Sequence, residues 1–215
     1  TVISTAKQDS AAFAVIGPED PLAAGIADAL WNAGIPTVGP KAQGAALEAS
    51  KDLSKQFMAK YGVACAESTT FTDSDAALAY VHEKGAPIGI KADGLAAGKG
   101  VVVAKTVAEA ETAVRELMDG KVGEAGKKLV IEEYLQGVEI SVLAAVSVTP
   151  ASAKAGKATI VPFLPARDHK RLLDGAQGPN TGGMGAVCPL SDVSEETMRL
   201  FNERILQPTL RGMIQ

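Results

Sequence analysis

The chain is 215 residues long, 47% hydrophobic and 21% charged, enough to bury one or two cores and too apolar to stay disordered. Its formal net charge is −4, so no global basic field draws it to nucleic acid, and no apolar run reaches the ~18 residues that a membrane span needs. The two cysteines, Cys65 and Cys188, lie far apart, which argues against a disulfide framework or metal cluster and predicts reduced thiols in a cytoplasmic protein.

The chain opens on Thr1-Val2-Ile3, with one recognisable strand ahead of its first helix, and stops at Gly212-Met213-Ile214-Gln215 without a capping signal. That predicts a piece of a longer protein. Phe13-Ala14-Val15-Ile16 reads as a buried strand, broken by Gly17-Pro18-Glu19-Asp20-Pro21. Leu22, Ile26 and Leu30 share one helical face, and Gly34 follows as a stop, so a helix is expected from Pro21 to Ala33. With Pro36-Thr37-Val38 as a second strand, this makes a βαβ fragment. Gly17-Pro18-Glu19 then sits at the carboxyl end of a strand, where open α/β sheets place ligands, although a plain αβ turn would look the same.

Ser50 can cap a second helix, with Leu53, Phe57 and Met58 on one face, Tyr61 near its end and Gly62 as terminator. Lys51 falls in its first turn, where a cation opposes the helix dipole. It is either a solvated residue or one held for an anion. From residue 65 the pattern changes to a short strand, Thr69 to Phe71, and a helix, Ala76 to Lys84, capped by Asp73 or Asp75 and ended by Gly85.

Next comes Ile88-Gly89-Ile90-Lys91-Ala92-Asp93-Gly94-Leu95-Ala96-Ala97-Gly98-Lys99-Gly100-Val101-Val102-Val103. Two apolar runs flank a glycine-rich loop with a lysine at each shoulder, which predicts a β-hairpin flap. It is not a P-loop, because three residues rather than four separate Gly94 from Gly98 and Gly100 follows Lys99. Nor does it open a helix, as a dinucleotide fingerprint must. Exposed N–H groups and two ammonium groups can close over an anion, and an ordinary hairpin is the alternative.

Thr106-Val107-Ala108-Glu109 is a capping box for a helix from Val107 to Met118, and residues 120–126 read as a loop. Leu129-Val130-Ile131-Glu132-Glu133-Tyr134-Leu135 is a strand running into a connection. Val138 to Val148 and Thr159 to Phe163 read as strands joined by a mobile hairpin end, Thr149 to Lys157. Residues 167–186 follow neither hydrophobic period and are expected to form a structureless loop, functional or disordered. Asp168, His169, Lys170 and Arg171 at its start, and Asn180, Thr181, Gly182 and Gly183 later, can hold phosphate and carboxylate groups, while Leu172, Leu173 and Met184 argue against full solvation. Ser194 then caps a helix to about Leu206, and Pro208 breaks or kinks its continuation.

These stretches together resemble the glycinamide ribonucleotide synthetase (phosphoribosylamine–glycine ligase) family of the ATP-grasp superfamily. The resemblance runs on Gly17-Pro18-Glu19, Ser50-Lys51, Ile90-Lys91 through Gly100-Val101, Ile131 to Leu135, Glu139-Ile140-Ser141, Asp168 to Arg171 and Gly178 to Ala186. It implies an ATP-grasp fold, α/β and α+β in class, preceded by a partial Rossmann-like βαβ (pre-ATP-grasp) segment. Residues 1–48 would be the C-terminal part of that segment, 49–135 the first ATP-grasp lobe with its flap, and 136–215 the start of a truncated second lobe.

The same resemblance implies the reaction of ATP and glycine with 5-phosphoribosylamine to give glycinamide ribonucleotide, ADP and phosphate through glycyl phosphate, in purine biosynthesis. Lys51, Lys91, Gly94, Gly98, Lys99 and Gly100 would lie against the ATP phosphates. Glu132, Glu133, Tyr134 and Leu135 would form the hinge, with backbone groups of Glu133 or Leu135 on the adenine edge and Glu139 on the ribose hydroxyls. Asp168, His169, Lys170, Arg171 and Asn180 would be catalytic, and Glu19, Asn180, Thr181, Gly182 and Gly183 would bind substrate. Mg²⁺ or Mn²⁺ would take its ligands beyond Gln215. Gly89, Arg167 and Val187 depart from the family's usual larger apolar residue, Gln and aromatic. The rival readings are another ATP-grasp ligase or carboxylase, which would share the flap and hinge, and a non-catalytic adenine-nucleotide-binding module.

Overall fold

A computed structural model describes residues 1–95 and 100–215, with Asn180 described by its backbone. The chain divides into two compact units, residues 1–57 with 65–135, and residues 58–64 with 136–215.

The first unit begins with a helix, α1 (Val2–Gln8), where the sequence suggested a strand as the first element. Ser4 Oγ donates to the Thr1 carbonyl at 2.8 Å, a local bond that favours the helical turn over an extended start. The parallel pair β1 (Ala14–Val15) and β2 (Thr37–Val38) forms the expected βαβ fragment. Its helix, however, is two: α2 (Glu19–Ala23) and α3 (Ile26–Asn32), separated at Gly25, whose φ of 84° no regular helix accepts. Phe13 and Val15 are exposed rather than buried. With two strands, only the side bearing Ile16 is covered, by Leu22, Ala27 and Ala45. An unforeseen helix, α4 (Ala42–Ala49), carries Ala45; the Asp28 carboxylate accepts from the Ala42 N–H at 2.8 Å and caps it from fourteen residues away in sequence.

Helix α5 (Lys51–Tyr61) ends before Gly62, in left-handed conformation at φ 69°, and Ser50 Oγ accepts from the Leu53 N–H, as expected of a cap. Of its expected apolar face, Phe57 and Met58 are half-buried, but Leu53 faces solvent, and Lys51, Asp52 and Lys55 are half-buried as well. Strand β3 (Ser68–Phe71) leads to α6 (Ser74–Lys84), capped by Asp73, whose carboxylate accepts from Ala76 N–H at 2.8 Å. Strands β4 (Ile88–Ala92) and β5 (Val101–Ala104) are the two arms of the predicted flap. Helix α7 (Val107–Glu116) is capped by Thr106, and the returning Glu109 carboxylate reaches the Lys105 N–H rather than that of Thr106. Residues 117–127, expected to be helix end and loop, form a π turn and then a 3₁₀ turn.

Strand β6 (Leu129–Glu133) completes an antiparallel sheet in the order β3-β6-β4-β5. One face packs on α6 and α7: Ile88, Ile90, Leu129 and Ile131 meet Ala77, Val81, Ala110, Ala113 and Val114, all buried. Alternation along β4 and β6 leaves Gly89, Lys91 and Glu132 on the opposite face.

In the second unit, β7 (Ala144–Ser147) pairs with β8 (Thr159–Pro162). The long strand from Val138 shrinks to this span because β8 offers a partner only here; before it, Ser141 makes a single bridge to Ala166. The supposed mobile joint contains a helix, α8 (Pro150–Lys154), with a Thr149/Ser152 capping box and Pro150 in its first turn.

Residues 167–186 are structured as well. Strands β9 (Arg167–Asp168), β10 (Arg171–Leu173), β11 (Gln177–Asn180) and β12 (Ala186–Val187) fold back on themselves, β10 on β11 and β9 on β12. Leu172, Leu173 and Met184 are exposed, so it is main-chain pairing and not apolar burial that orders this segment. Helix α9 (Glu195–Phe201) is capped by Ser194 and passes through a π turn, Asn202–Leu206, into α10 (Gln207–Ile214). Pro208 does not end it. The Arg204 carbonyl, which proline cannot satisfy, accepts instead from the Ala64 N–H at 2.9 Å.

Candidate active site

The polar face of the four-stranded sheet holds one carboxylate between two ammonium groups. Lys55 of α5 reaches Glu132 of β6 at 3.0 Å, and Lys91 of β4 pairs with the other oxygen of the same carboxylate. Lys55 also donates to the Ala66 carbonyl at 2.8 Å. Gly89 lies opposite Glu132 in register, and a Cβ there would stand 3.3 Å from Glu132 Cγ, so the glycine gives the glutamate stem its room. Burial pushes the Glu132 pKa up, but the hydrogen bonds from Lys91 and Lys55 outweigh it and hold the group below its usual value. One carboxylate and two lysines leave a net positive site suited to an anion.

A second cluster fixes the root of the flap. Asp93, just past β4, accepts from Ser50 Oγ at 3.1 Å and from the Asp52 N–H at 3.1 Å, so it caps α5 from across the sheet. Lys128 binds Asp52 at 2.9 Å and stands 3.7 Å from Asp93. Its hydrogen bond to Asp52 is the main reason the Asp52 pKa lies below, and its own above, the usual value. Lys51 donates to the Gly94 carbonyl at 2.9 Å, so it is bound to the flap root rather than solvated. Gly94 has φ 104°, and Gly100 is buried, its carbonyl accepting from Ala92 N–H at 2.7 Å. Gly98 and Lys99 lie outside the described residues. At the strand end, the Glu133 N–H and carboxylate are both engaged by Glu67, at 3.0 and 2.9 Å, while Tyr134 and Leu135 are exposed. Glu19 opens α2 in the same unit.

In the second unit the two chemistry-bearing runs meet. Arg171 stands opposite Asn180, the Thr181 N–H donates to the Lys170 carbonyl at 2.7 Å, and the Gly183 N–H to Thr181 Oγ1 at 3.0 Å. His169 exchanges main-chain bonds with Met184 and Gly185 at 2.7 and 2.9 Å. A Cβ on Gly183 would meet the Asp168 carboxylate at 3.0 Å, and φ there is 121°, so only glycine brings this backbone so close. An open cleft of about 640 Å³ is lined by Glu139 and by residues 167–176 with Met184. Lys170 pairs with Glu139, which raises the lysine's pKa. Arg167 instead turns to Asp192 at 2.9 Å.

Asp52, Lys55, Asp93 and Lys128 were not singled out from the sequence. A signal existed for one of them: Lys55 lies one turn after Lys51, on the same helix face. Reading the apolar Leu53 as part of the buried face hid it. The depressed Glu132 and Asp52 pKa values have a consequence for stability. Such groups contribute stability above their unfolded pKa values and lose it as pH falls through the folded ones. Melting of the full-length protein should therefore shift down between about pH 5 and pH 2; Glu132→Gln should start lower at neutral pH and fall less steeply on acidification.

A family model described as phosphoribosylglycinamide synthetase, ATP-grasp (A) domain, matches residues 49–215, and its N-domain counterpart matches residues 1–48. A phosphoribosylamine–glycine ligase of Listeria innocua is 47% identical over 215 residues, 100% of this chain and 49% of the relative. One of Xanthomonas campestris is 46% identical over 214 residues, 99% of this chain and 48% of the relative. The chain thus spans about half the length of the curated relatives it matches. Among solved structures, the phosphoribosylamine–glycine ligase of Thermotoga maritima is 33% identical with a TM-score of 0.69, covering 82% of this chain and 42% of that one. The ATP-analogue complex of Campylobacter jejuni biotin carboxylase is 16% identical with a TM-score of 0.74, covering 99% and 45%, a likeness of fold alone. The fold is ATP-grasp, as the motifs led one to expect.

Proposed function

The chain belongs to the phosphoribosylglycinamide synthetase family, and we propose that it supplies nucleotide- and substrate-holding residues of an ATP-dependent ligase that joins glycine to 5-phosphoribosylamine. The observation that carries this reading is the fold-back of residues 167–186, which sets Lys170 and Arg171 against Asn180 and Thr181.

In this reading a glycine carboxylate oxygen attacks the γ-phosphorus of ATP, the bond to ADP breaks, and glycyl phosphate forms. The amine of phosphoribosylamine then attacks the carbonyl carbon, phosphate leaves, and the amine proton passes to solvent or phosphate. No protein nucleophile is needed; positioning and charge neutralisation carry the rate. Lys51, Lys91 and the flap glycines hold the phosphates, and Lys99 joins them. Glu132 to Leu135 form the hinge. The Glu133 N–H is already committed to Glu67, which shifts the amide role on the adenine edge to Leu135. Glu139 accepts from the ribose hydroxyls. Asp168, His169, Lys170, Arg171 and Asn180 align the reacting groups, with Glu19, Thr181, Gly182 and Gly183 on the substrates.

Among the described residues there is no group of three or more His, Cys, Asp or Glu side chains placed to hold a metal ion; the family resemblance implies that a divalent ion accompanying ATP would take its protein ligands beyond Gln215. Residues 1–48 are assigned to the domain before the ATP-grasp fold, 49–135 to its first lobe and 136–215 to its second.

ADP release by the full-length protein, with glycine and phosphoribosylamine withheld in turn, tests the reading. Sustained turnover should need both. Turnover supported by bicarbonate or another acceptor, without phosphoribosylamine, would assign a different ATP-grasp ligase; no turnover with all substrates would leave a binding module. ATP should bind better than GTP, and Glu139→Ala should weaken ATP by about 1–3 kcal/mol, as loss of a charge-assisted bond does. Equal binding of the two nucleotides by calorimetry would remove the hinge assignment.

A further inference from the structure

The Glu132 carboxylate has two cationic partners, and only one of them belongs to the nucleotide reading. Lys91 sits on β4, two residues before the flap root. Lys55 sits on α5, is itself largely buried with a side-chain exposure of 16%, and is braced by the Ala66 carbonyl at 2.8 Å. Glu132 is 13% exposed. Among the described residues, the charged groups that act on it are these two lysines. Ser68 stands opposite on β3, and Gly89 on β4 has no side chain. The Glu133 carboxylate is turned to the Glu67 N–H, and Asp52 is held by Thr70 and Lys128.

A phosphate brought to Lys91 places negative charge beside Glu132, whether or not the Lys91–Glu132 contact breaks. A shielded carboxylate in that position must find another cation, take up a proton, or move. We infer that Lys55 is a positioning residue: its charge keeps Glu132 ionised and in place while the nucleotide phosphates draw on Lys91. The inference rests on the reading of Lys91 as a phosphate-binding lysine. Lys55 touches no substrate in this role and acts through Glu132 alone. It differs from a packing role because its effect should vanish once Glu132 carries no charge.

The test is calorimetric titration of the full-length protein with a non-hydrolysable ATP analogue and Mg²⁺, near pH 6, in two buffers of different ionisation enthalpy. The proteins compared are wild type, Lys55→Met, Lys55→Arg, Glu132→Gln, the Lys55→Met/Glu132→Gln double variant and Lys91→Met. Lys55→Met should weaken the analogue at least about tenfold, the usual order when one member of a shielded charge pair is removed. It should also add uptake approaching about one proton on binding, because Glu132 protonates as the phosphates arrive. Lys55→Arg should restore most of the affinity without that uptake. In the double variant the uptake should disappear and the affinity return to that of Glu132→Gln, a coupling that a packing defect cannot produce.

Lys55→Met binding within about twofold of wild type with no added uptake, or a double variant whose two losses simply add, would overturn the inference. Lys91→Met indicates which reading has failed. Analogue binding unchanged in Lys91→Met removes the phosphate role of Lys91 and the inference with it. Binding weakened in Lys91→Met but not in Lys55→Met removes the inference alone. Should Lys55→Met fail to fold, Lys55→Gln takes its place with the same expected uptake.

Discussion

On the proposed function, Lys170→Ala in the full-length protein should lower kcat/KM for phosphoribosylamine by about 10²-fold, the order expected when an aligning contact is lost, while ATP affinity and melting temperature stay near wild type. The reason is the way the segment is held. His169 is fixed through its own N–H and carbonyl to Gly185 and Met184, and the Lys170 carbonyl accepts both from Thr181 N–H and from Thr181 Oγ1. The order of the strand pair thus lies in its main chain, and the exposed His169 and Lys170 side chains contribute little to it. What they do contribute is a wall of the cleft that also carries Glu139 and Asp168. Pairing with Glu139 raises the Lys170 pKa, and on the proposed function its ammonium would act as a point charge toward a phosphate or an acyl phosphate. His169→Ala should act in the same sense. Steady-state kinetics with each acceptor varied, calorimetry with ATP and a melting curve on both variants decide the matter. A parallel fall in melting temperature and ATP affinity, with acceptor kinetics otherwise unchanged, would reassign the segment to folding.

The largest effect on stability is expected at Gly126. A Cβ built there would lie 1.9 Å from the Leu117 carbonyl oxygen and 3.2 Å from Val122 Cγ2. Leu117 is buried in the sheet–helix core and starts the π turn, so its carbonyl cannot retreat without disturbing the packing of α7. Gly126→Ala should therefore destabilise the first unit by about 3 kcal/mol, at the upper end of overpacking effects. Gly123, three residues earlier, isolates the alternative cause. It has φ 61° and nothing within 4 Å of an added Cβ, so Gly123→Ala should cost only about 1 kcal/mol, through backbone strain. Denaturant melts of the two variants give the comparison; equal losses would mean that the carbonyl contact at Gly126 relaxes freely.

Much of the molecule was legible without tertiary contacts, where the determining forces act within a turn or two of chain. Ser50, Asp73, Thr106 and Ser194 cap the helices that their side chains announce, and Gly62 and Gly85 end helices in backbone conformations that glycine allows. Two short apolar runs around a glycine-rich loop, the second β-branched, foretold both arms of the flap, and the order of motifs along the chain was enough to point to the ATP-grasp fold. The errors were also local in origin. Gly25 was passed over within a convincing apolar period, Thr149 and Ser152 were read as linker residues, and residues 167–186 showed no period because main-chain pairing needs none. Tertiary structure alone decided the rest. Asp28 caps α4, Asp93 caps α5, the Arg204 carbonyl left open by Pro208 is satisfied by Ala64, and Glu132 is shared by Lys55 and Lys91. In each case a polar group is paired with a partner from another part of the chain. An unpaired buried polar group is costly, but the rule demands only that some partner be present. Which partner it is depends on where the backbone returns, and nothing within a few residues of Asp28, Asp93 or Glu132 encodes that.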